Sequence, residues 1–399
     1  MTNSIVMLAT PMKVATLGGT PLDIGAAGLA FGVTNTFTPL LAGWVSDRIG
    51  RKPTMLIGYS MSASACLLLM TTDRLSMIPL FVILHTAGSQ GIWPVVEAWL
   101  ADRSTDSISR QMTIYNLGWS SGGGIGSMYA GFFVTLGAGF QTVYLTAAGI
   151  IGFLALVRIA IPDRAAATAV MELHEEEHAR GELTAAEKIQ ARGRLYCVWL
   201  AGFGAWYFHS VISWIFTYDA QRKGIGPQLV GNLHATMTWM EFATFIAIIF
   251  YSRWYLSTNL RIQSQLVAIG GAIVFGTGMF FHGQFNTLPL LALGLAAYGV
   301  GLAAIYSASL IVSVTSLHDR GARAGIHEML VGLGSVSAPW ISGHLLQYFG
   351  GSTDASIGQL AVYGTAAGVM LLALGGQAIV GWRVRGQLAT LKAFAGLNV

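Results

Sequence analysis

Apolar positions along this chain gather into runs of about 20 residues separated by short polar stretches, and a run of that length is enough to cross a bilayer as a helix. Such runs lie at about 23–46, 54–71, 77–101, 111–136, 141–161, 195–218, 228–251, 262–282, 288–313, 324–349 and 357–382. That makes eleven. A twelfth candidate, from Ile5 to Leu17, is too short to span alone and carries Lys13 near its end.

The polar positions orient these runs. With the loop holding Arg48, Arg51 and Lys52 placed in the cytoplasm, alternate counting brings four other groups to the same side: Arg103 and Arg110, Arg253 and Arg261, Arg320 and Arg323, and Arg383 and Arg385. The 162–194 segment joins them. The opposite side holds only Arg74, Arg222 and Lys223. This positive-inside bias requires a segment before residue 23 that runs outward, so twelve spans are expected, the first abbreviated. Either the chain begins downstream of its native start or the first helix is a genuine half-span; the former is favoured. Both ends are expected in the cytoplasm of a multi-pass inner-membrane protein.

Composition agrees with lipid as the solvent. Of 399 residues, 54% are hydrophobic and 10% are charged, where a soluble protein carries roughly a quarter of its residues as charges. Fifty glycines fit close helix–helix approach, which in lipid depends on small residues. Cys66 and Cys197 both fall in apolar runs and offer neither a disulfide framework nor a metal spacing. A pI near 9.1 reflects topology rather than nucleic-acid binding, because the basic residues sit in loops. The hydrophilic stretch of about 162–192 divides the chain into a first six-helix half (1–161), a cytoplasmic linker (162–194) with the pattern of a short interfacial helix, and a second six-helix half (195–399).

Residues 43–52 read Gly43-Trp-Val-Ser-Asp47-Arg48-Ile-Gly50-Arg51-Lys52. Gly43 suits close packing, Gly50 a sharp turn, and Asp47 and Arg51 a charge pair beside helix ends. The stretch resembles the G-x-x-x-D-R-x-G-R-[KR] signature of the major facilitator superfamily, and Pro94 to Asp102 is similar to the P-x-x-x-A-Y-I-A-D pattern of its antiporters. The resemblance implies a twelve-helix, all-α membrane fold of two pseudo-twofold-related halves, and a gating set of Gly43, Asp47, Arg48, Gly50, Arg51, Lys52 and Asp102. Asp102 would then be the partner of Arg51, or alternatively an ordinary solvated acid. Gly122 to Gly131 looks like a worn antiporter motif in which Ser127 replaces proline, which puts antiport itself in doubt. A related pattern returns 212 residues later from Gly334 to Gly343 with Pro339 present, as an internal duplication would give. Gly122, Gly126, Gly131, Pro339 and Gly343 are therefore expected to serve helix packing.

By resemblance, spans one, four, seven and ten line a central cavity. Gln90, Trp93 and Glu97 recur on one face of span four. Span seven offers Trp206, Tyr207 and Ser210, with His209 beside them; span ten offers Tyr298 and Tyr306. Aromatic walls with polar tips fit an amphipathic organic solute. Glu97, and Glu241 in span eight, are intramembrane carboxylates, for which a functional role is the default reading. Each is a candidate for proton coupling; pairing with a loop base such as Arg110 is the other reading of Glu97. His327 and Glu328 open span eleven and Asn116 lies near the start of span five. His174 to His178 satisfies H-E-x-x-H, but its place in a charged linker without a third ligand argues against zinc. No P-loop is present, so ATP-driven export by this chain alone is not expected, nor is any cofactor or enzymatic activity.

These readings lead to a secondary transporter: a small organic solute moved by alternating access, coupled to protons and directed outward, by a monomer in the bilayer. The alternative is a membrane sensor or assembly partner that keeps the fold without transporting.

Overall fold

In lipid a backbone must satisfy its own hydrogen bonds, and an apolar run does so by coiling. The structure, a computed structural model, describes residues 1–101, 108–162, 184–251, 254–314, 320–350 and 356–394. These form twelve helical rods: α1 (Thr2–Thr16), α2 (Pro21–Ile49), α3 (Arg51–Thr71), α4 (Ile78–Ala101), α5 (Ile108–Thr135), α6 (Gly139–Ala160), α7 (Ala185–Ser210), α8 (Pro227–Ile249), α9 (Thr258–Phe280), α10 (Leu288–Val314), α11 (Arg320–Phe349) and α12 (Ser356–Phe394). Beyond Ser210, α7 continues through a π turn at Val211–Phe216 into Thr217–Arg222. Among the described residues, nine helices are long and apolar enough to cross a membrane. The 15 residues of α1 reach only about 22 Å at 1.5 Å per residue.

Two boundaries differ from the sequence reading. Residues 185–194, read as linker, are the first turns of α7. Their start is fixed by a capping box, in which the Glu187 amide donates to Thr184 Oγ1 at 3.3 Å and the Thr184 amide donates to Glu187 Oε2 at 2.9 Å. Likewise α12 runs past Arg383 and Arg385 to Phe394, about 12 residues beyond the apolar run. Charge density in both places read as loop, whereas the helix simply continues out of the apolar zone. The segment carrying His174 to His178 lies outside the described residues.

Packing repeats with a period of six helices. Helix α1 packs on α5 and α6, α2 on α4, and α3 on α4 and α6; correspondingly α7 packs on α11 and α12, α8 on α10, and α9 on α10 and α12. The halves meet along two seams, α2–α11 and α5–α8, which the same shift interchanges. The seams close on backbone. A Cβ added to Gly131 in α5 would lie 2.6 Å from the Pro227 carbonyl oxygen and 3.1 Å from Gly231 Cα in α8. One added to Gly343 in α11 would lie 2.6 Å from the Pro21 carbonyl oxygen and 3.1 Å from Gly25 Cα in α2. Gly343 follows Gly131 by 212 residues, while Pro227 and Gly231 follow Pro21 and Gly25 by 206. Both contacts lie where α2 and α8 begin, each with a proline at the first helical turn, where its missing N–H costs nothing. Gly122 and Gly126 serve a third approach, of α5 to the Met1 backbone at the head of α1.

The end of the bundle that carries Arg48, Arg51 and Lys52 is its basic face, and the other end its opposite face.

Candidate functional site

Between the seams lies a cavity of about 130 Å³. Of the residues expected to form it, Gln90 and Trp93 of α4, Trp206 and Ser210 of α7 and Tyr306 of α10 all stand on its wall. Tyr207 and Tyr298 do not. Tyr207 is packed in the core, and Tyr298 is fully buried with its hydroxyl donating to the Ala205 carbonyl at 2.6 Å. Spacing along one helix does not reveal that a hydroxyl has found a backbone acceptor next door.

The cavity also draws on helices that the resemblance left out. The seam helices α2, α5, α8 and α11 contribute Asn35, Trp119, His234 and Glu328 among others. They reach it because each seam is closed only over part of its length, leaving the remainder as wall. His209, noted in sequence beside Trp206, faces the cavity too, and the two rings lie 4.6 Å apart. His234 Nε2 shares a 2.9 Å hydrogen bond with Thr217 Oγ1. Trp119, Trp206 and Tyr306 form a triangle with centroid separations of 6.4, 5.9 and 6.1 Å. It spans both halves, since Trp119 belongs to α5 and the other two to α7 and α10. No single-helix pattern marks Trp119; only the seam brings it there.

Behind the wall sits Glu241, one turn along α8 from Met237 and Thr238, which line the cavity. It is fully buried, and neither carboxylate oxygen has a hydrogen-bond partner among the described residues. A buried carboxylate without a partner is costly as an anion and far less so once it holds a proton. Glu97 is on the described backbone of α4, but its side chain lies outside the described residues, as does Asp102 altogether. His327 Nδ1 shares a 2.8 Å hydrogen bond with Ser309, and its Nε2 stands 3.7 Å from Glu328.

On the basic face Arg51 donates to Asp47 Oδ1 at 2.7 Å and also to Ser46 Oγ. The Asp47 carboxylate is 68% exposed, so this pair contributes at most about 1 kcal/mol to stability. Its value is positional. Gly50 has φ +93°, which glycine adopts without strain, and joins α2 to α3 in a single residue. Lys52 donates to the carbonyls of Ile159 at 2.7 Å and Ile161 at 3.2 Å, holding the end of α6, and Arg48 lies 3.3 Å over the Trp44 ring. Gly43 departs from expectation: a Cβ there would meet nothing within 4 Å. Among the described residues no close packing forms at Gly43, whereas the backbone-on-backbone contacts at Gly131 and Gly343 lie toward the opposite face.

Comparisons with known proteins agree with this geometry. A family model described as Major Facilitator Superfamily matches residues 1–318. An uncharacterised MFS-type transporter of Mycobacterium tuberculosis is 33% identical over 84 residues, which is 21% of this chain and 12% of that relative. A bacterial homolog of the human lysosomal transporter Spinster, solved inward-facing and unoccupied, superposes with TM-score 0.68 at 13% identity, covering 96% of this chain and 93% of that one. A point mutant of the nucleoside transporter NupG gives 0.63 at 15% identity over 95% and 99%. The human organic anion transporter MFSD10 gives 0.55 at 17% identity over 88% and 82%. With its family model matched over most of its length and its helices paired six by six around a central cavity, the chain belongs to the major facilitator superfamily of secondary transporters.

Proposed function

We propose that this protein moves a small amphipathic organic solute by alternating access, coupled to protons and directed out of the cell. The observation that carries the reading is the cavity itself, walled by both halves at mid-bundle. Among the described residues, contacts between the halves run from the middle to the opposite face, as at Gly131–Gly231 and Gly343–Gly25, while a Cβ at Gly43 would meet nothing within 4 Å. We read this as the state open to the basic face, which the positive-inside rule makes cytoplasmic. The C-terminal end of α12 then lies inside, in the inner membrane, and the bundle works as a monomer of two halves, 1–161 and 185–399, joined by a linker.

In this reading the solute sits against Trp93, Trp206, Ser210, Gln90 and Tyr306. The Asp47–Arg51 pair, with Asp102 as its partner across the loop, governs closure of the cytoplasmic side. Glu241 takes and releases the coupling proton, being buried without a partner beside the wall; Glu97 is the second candidate on the grounds of its place in α4. Coupling follows if the carboxylate reaches water in one state and not in the other.

The test uses purified protein in proteoliposomes loaded with a pH-sensitive dye, screened against organic solutes first ranked by thermal shift. Solute-dependent proton movement, lost when the gradient is dissipated, is the expected result. Active accumulation that continues undiminished without a proton gradient rejects proton coupling, and absence of any solute movement across the panel rejects transport.

A further inference from the structure

Three aromatic side chains at the cavity wall form an arrangement more specific than an apolar lining. Trp119 and Tyr306 are near-parallel, with 22° between their planes and 6.1 Å between centroids. Trp206 closes the third side, inclined at 53° to Trp119 and 69° to Tyr306. Two near-parallel rings with a tilted third make a slot rather than a round cage. Carbon atoms stack at about 3.5 Å, so a planar ring lying face to face between Trp119 and Tyr306 needs about 7 Å between their planes. The 6.1 Å between centroids must therefore open by at least about 1 Å.

Two polar atoms lie on residues beside the slot. Trp206 Nε1 and His209 Nδ1 are buried, and neither has a hydrogen-bond partner among the described residues. An N–H kept from water without an acceptor is an unfavourable arrangement, which an acceptor carried by a ring between Trp119 and Tyr306 would relieve at Trp206. Trp206 Nε1 can only donate, so its partner offers an acceptor, whereas neutral His209 accepts or donates according to its tautomer. The size is restrictive as well. About 130 Å³ lies below the roughly 300–1,000 Å³ of drug-sized pockets and near the volume of about 150 Å³ that holds a benzene ring.

We propose that the solute is a planar heteroaromatic of one or two rings, stacked between Trp119 and Tyr306, with a hydrogen-bond acceptor on its edge facing Trp206 and a donor facing His209. This rests on the transport reading above and narrows it to a substrate class. Because Trp119 comes from one half and Tyr306 from the other, such a ring is gripped only where the halves meet, which ties occupancy to their relative position. A quaternary ammonium ligand, the other guest of three-ring sites, fits less well, since near-parallel walls suit a plate and not a sphere.

The experiment is calorimetric titration of the full chain in detergent with three matched probes and one control. Quinolin-2-one has a planar double ring with carbonyl and N–H adjacent; its N-methyl derivative lacks the donor; decahydroquinolin-2-one keeps the edge without the plane; tetramethylammonium tests the cage. Quinolin-2-one is expected to bind about tenfold more tightly than either relative, as one lost stacking or hydrogen-bond contact allows. Trp206→Phe, which keeps a ring and loses the N–H, is expected to weaken it about tenfold; Trp119→Phe retains binding within about threefold, and Trp119→Ala loses it. Helicity and monodispersity of each variant are checked first, and the Trp119→Phe result keeps the test valid if the alanine variant does not fold. Equal affinity for the planar and saturated rings, tighter binding of tetramethylammonium, or no effect of Trp206→Phe overturns the proposal. A solute outside this class that moves in proteoliposomes while quinolin-2-one neither binds nor moves also overturns it, yet leaves the transport reading standing.

Discussion

On the α2–α11 seam the ring of Pro339 stands against Gly28. At the corresponding places on the α5–α8 seam, 212 and 206 residues away, stand Ser127 and His234, both of them cavity residues. Nearer the opposite face the seams coincide again, Gly343 on Gly25 matching Gly131 on Gly231. One copy of the duplication has kept a dry proline–glycine contact at mid-depth, and the other has replaced it with a hydroxyl and an imidazole. The pairing of Asn35 with Glu241, also 206 residues apart, follows the same division: a neutral amide on one side, the buried carboxylate on the other. Packing identity was therefore retained where the halves must seal, and chemistry diverged where they enclose space. The second half holds His209, His234 and Glu241 together, whereas the paired charges of the first half, Asp47 and Arg51, lie at the bundle's basic end.

The comparison breaks most decisively at the shared contacts. Gly343→Val or Gly131→Val puts a branched side chain into a backbone carbonyl at a point with no room, so the opposite face fails to seal. Transport in proteoliposomes is expected to fall more than tenfold while membrane insertion persists, with faster labelling from the opposite face of a Ser213→Cys probe, Ser213 being a residue of the cavity wall on the π turn. Wild-type turnover in both variants removes the seal. Glu241→Gln keeps the shape and deletes the ionisable group, so proton-driven accumulation is expected to drop about tenfold or more while solute binding stays near wild type. Retained coupling in that variant assigns the proton elsewhere.

Ser127→Pro makes the second seam resemble the first. A proline inside a helix costs about 3 kcal/mol, and His234 occupies the space that glycine leaves open on α2, so lower thermal stability and several-fold slower transport are expected. Adding His234→Gly should restore part of the stability and none of the activity; full recovery of activity denies His234 any role beyond packing. Asp47→Asn and Arg51→Ala are expected to slow turnover several-fold with stability changed by less than about 1 kcal/mol, separating position from strength. Thr184→Ala, which removes the cap of α7 far from either seam, should cost about 1 kcal/mol and leave transport rates unaltered; a large kinetic effect there extends the working parts into the linker.

Much of the fold was legible because lipid makes every spanning element an apolar run, and because a 212-residue echo from Gly122 to Gly334 exposed the duplication. The cavity was legible only on helices where aromatic and polar residues recur at helical spacing, as Gln90 and Trp93 do. Asn35, Trp119 and His234 were overlooked because α2, α5 and α8 present several faces of similar apolarity, and which face meets the space is decided by a partner helix distant in sequence. Glu241 stood out as an intramembrane acid, but its closeness to the cavity depended on which residues of α8 one turn away, Met237 and Thr238, reach the space. The cap at Thr184 carried a readable T-x-x-E signal that the surrounding charge obscured.

The outer contacts at Gly25, Gly131, Gly231 and Gly343 are smooth in a specific sense: glycine meets backbone there, and at the α5–α8 contact the short Thr135 hydroxyl reaches across to accept from the Gln228 amide at 2.9 Å. Side chains caught between moving parts must be frozen into one rotamer on each closure and released on each opening, at up to about 2 kcal/mol apiece for long ones. Glycine has none to freeze. Under the proposed alternating access, two such nearly bare bearing surfaces would let the halves part and rejoin with little loss of freedom at every stroke, leaving the bound solute and the proposed coupling proton, rather than friction at the rim, to set the pace.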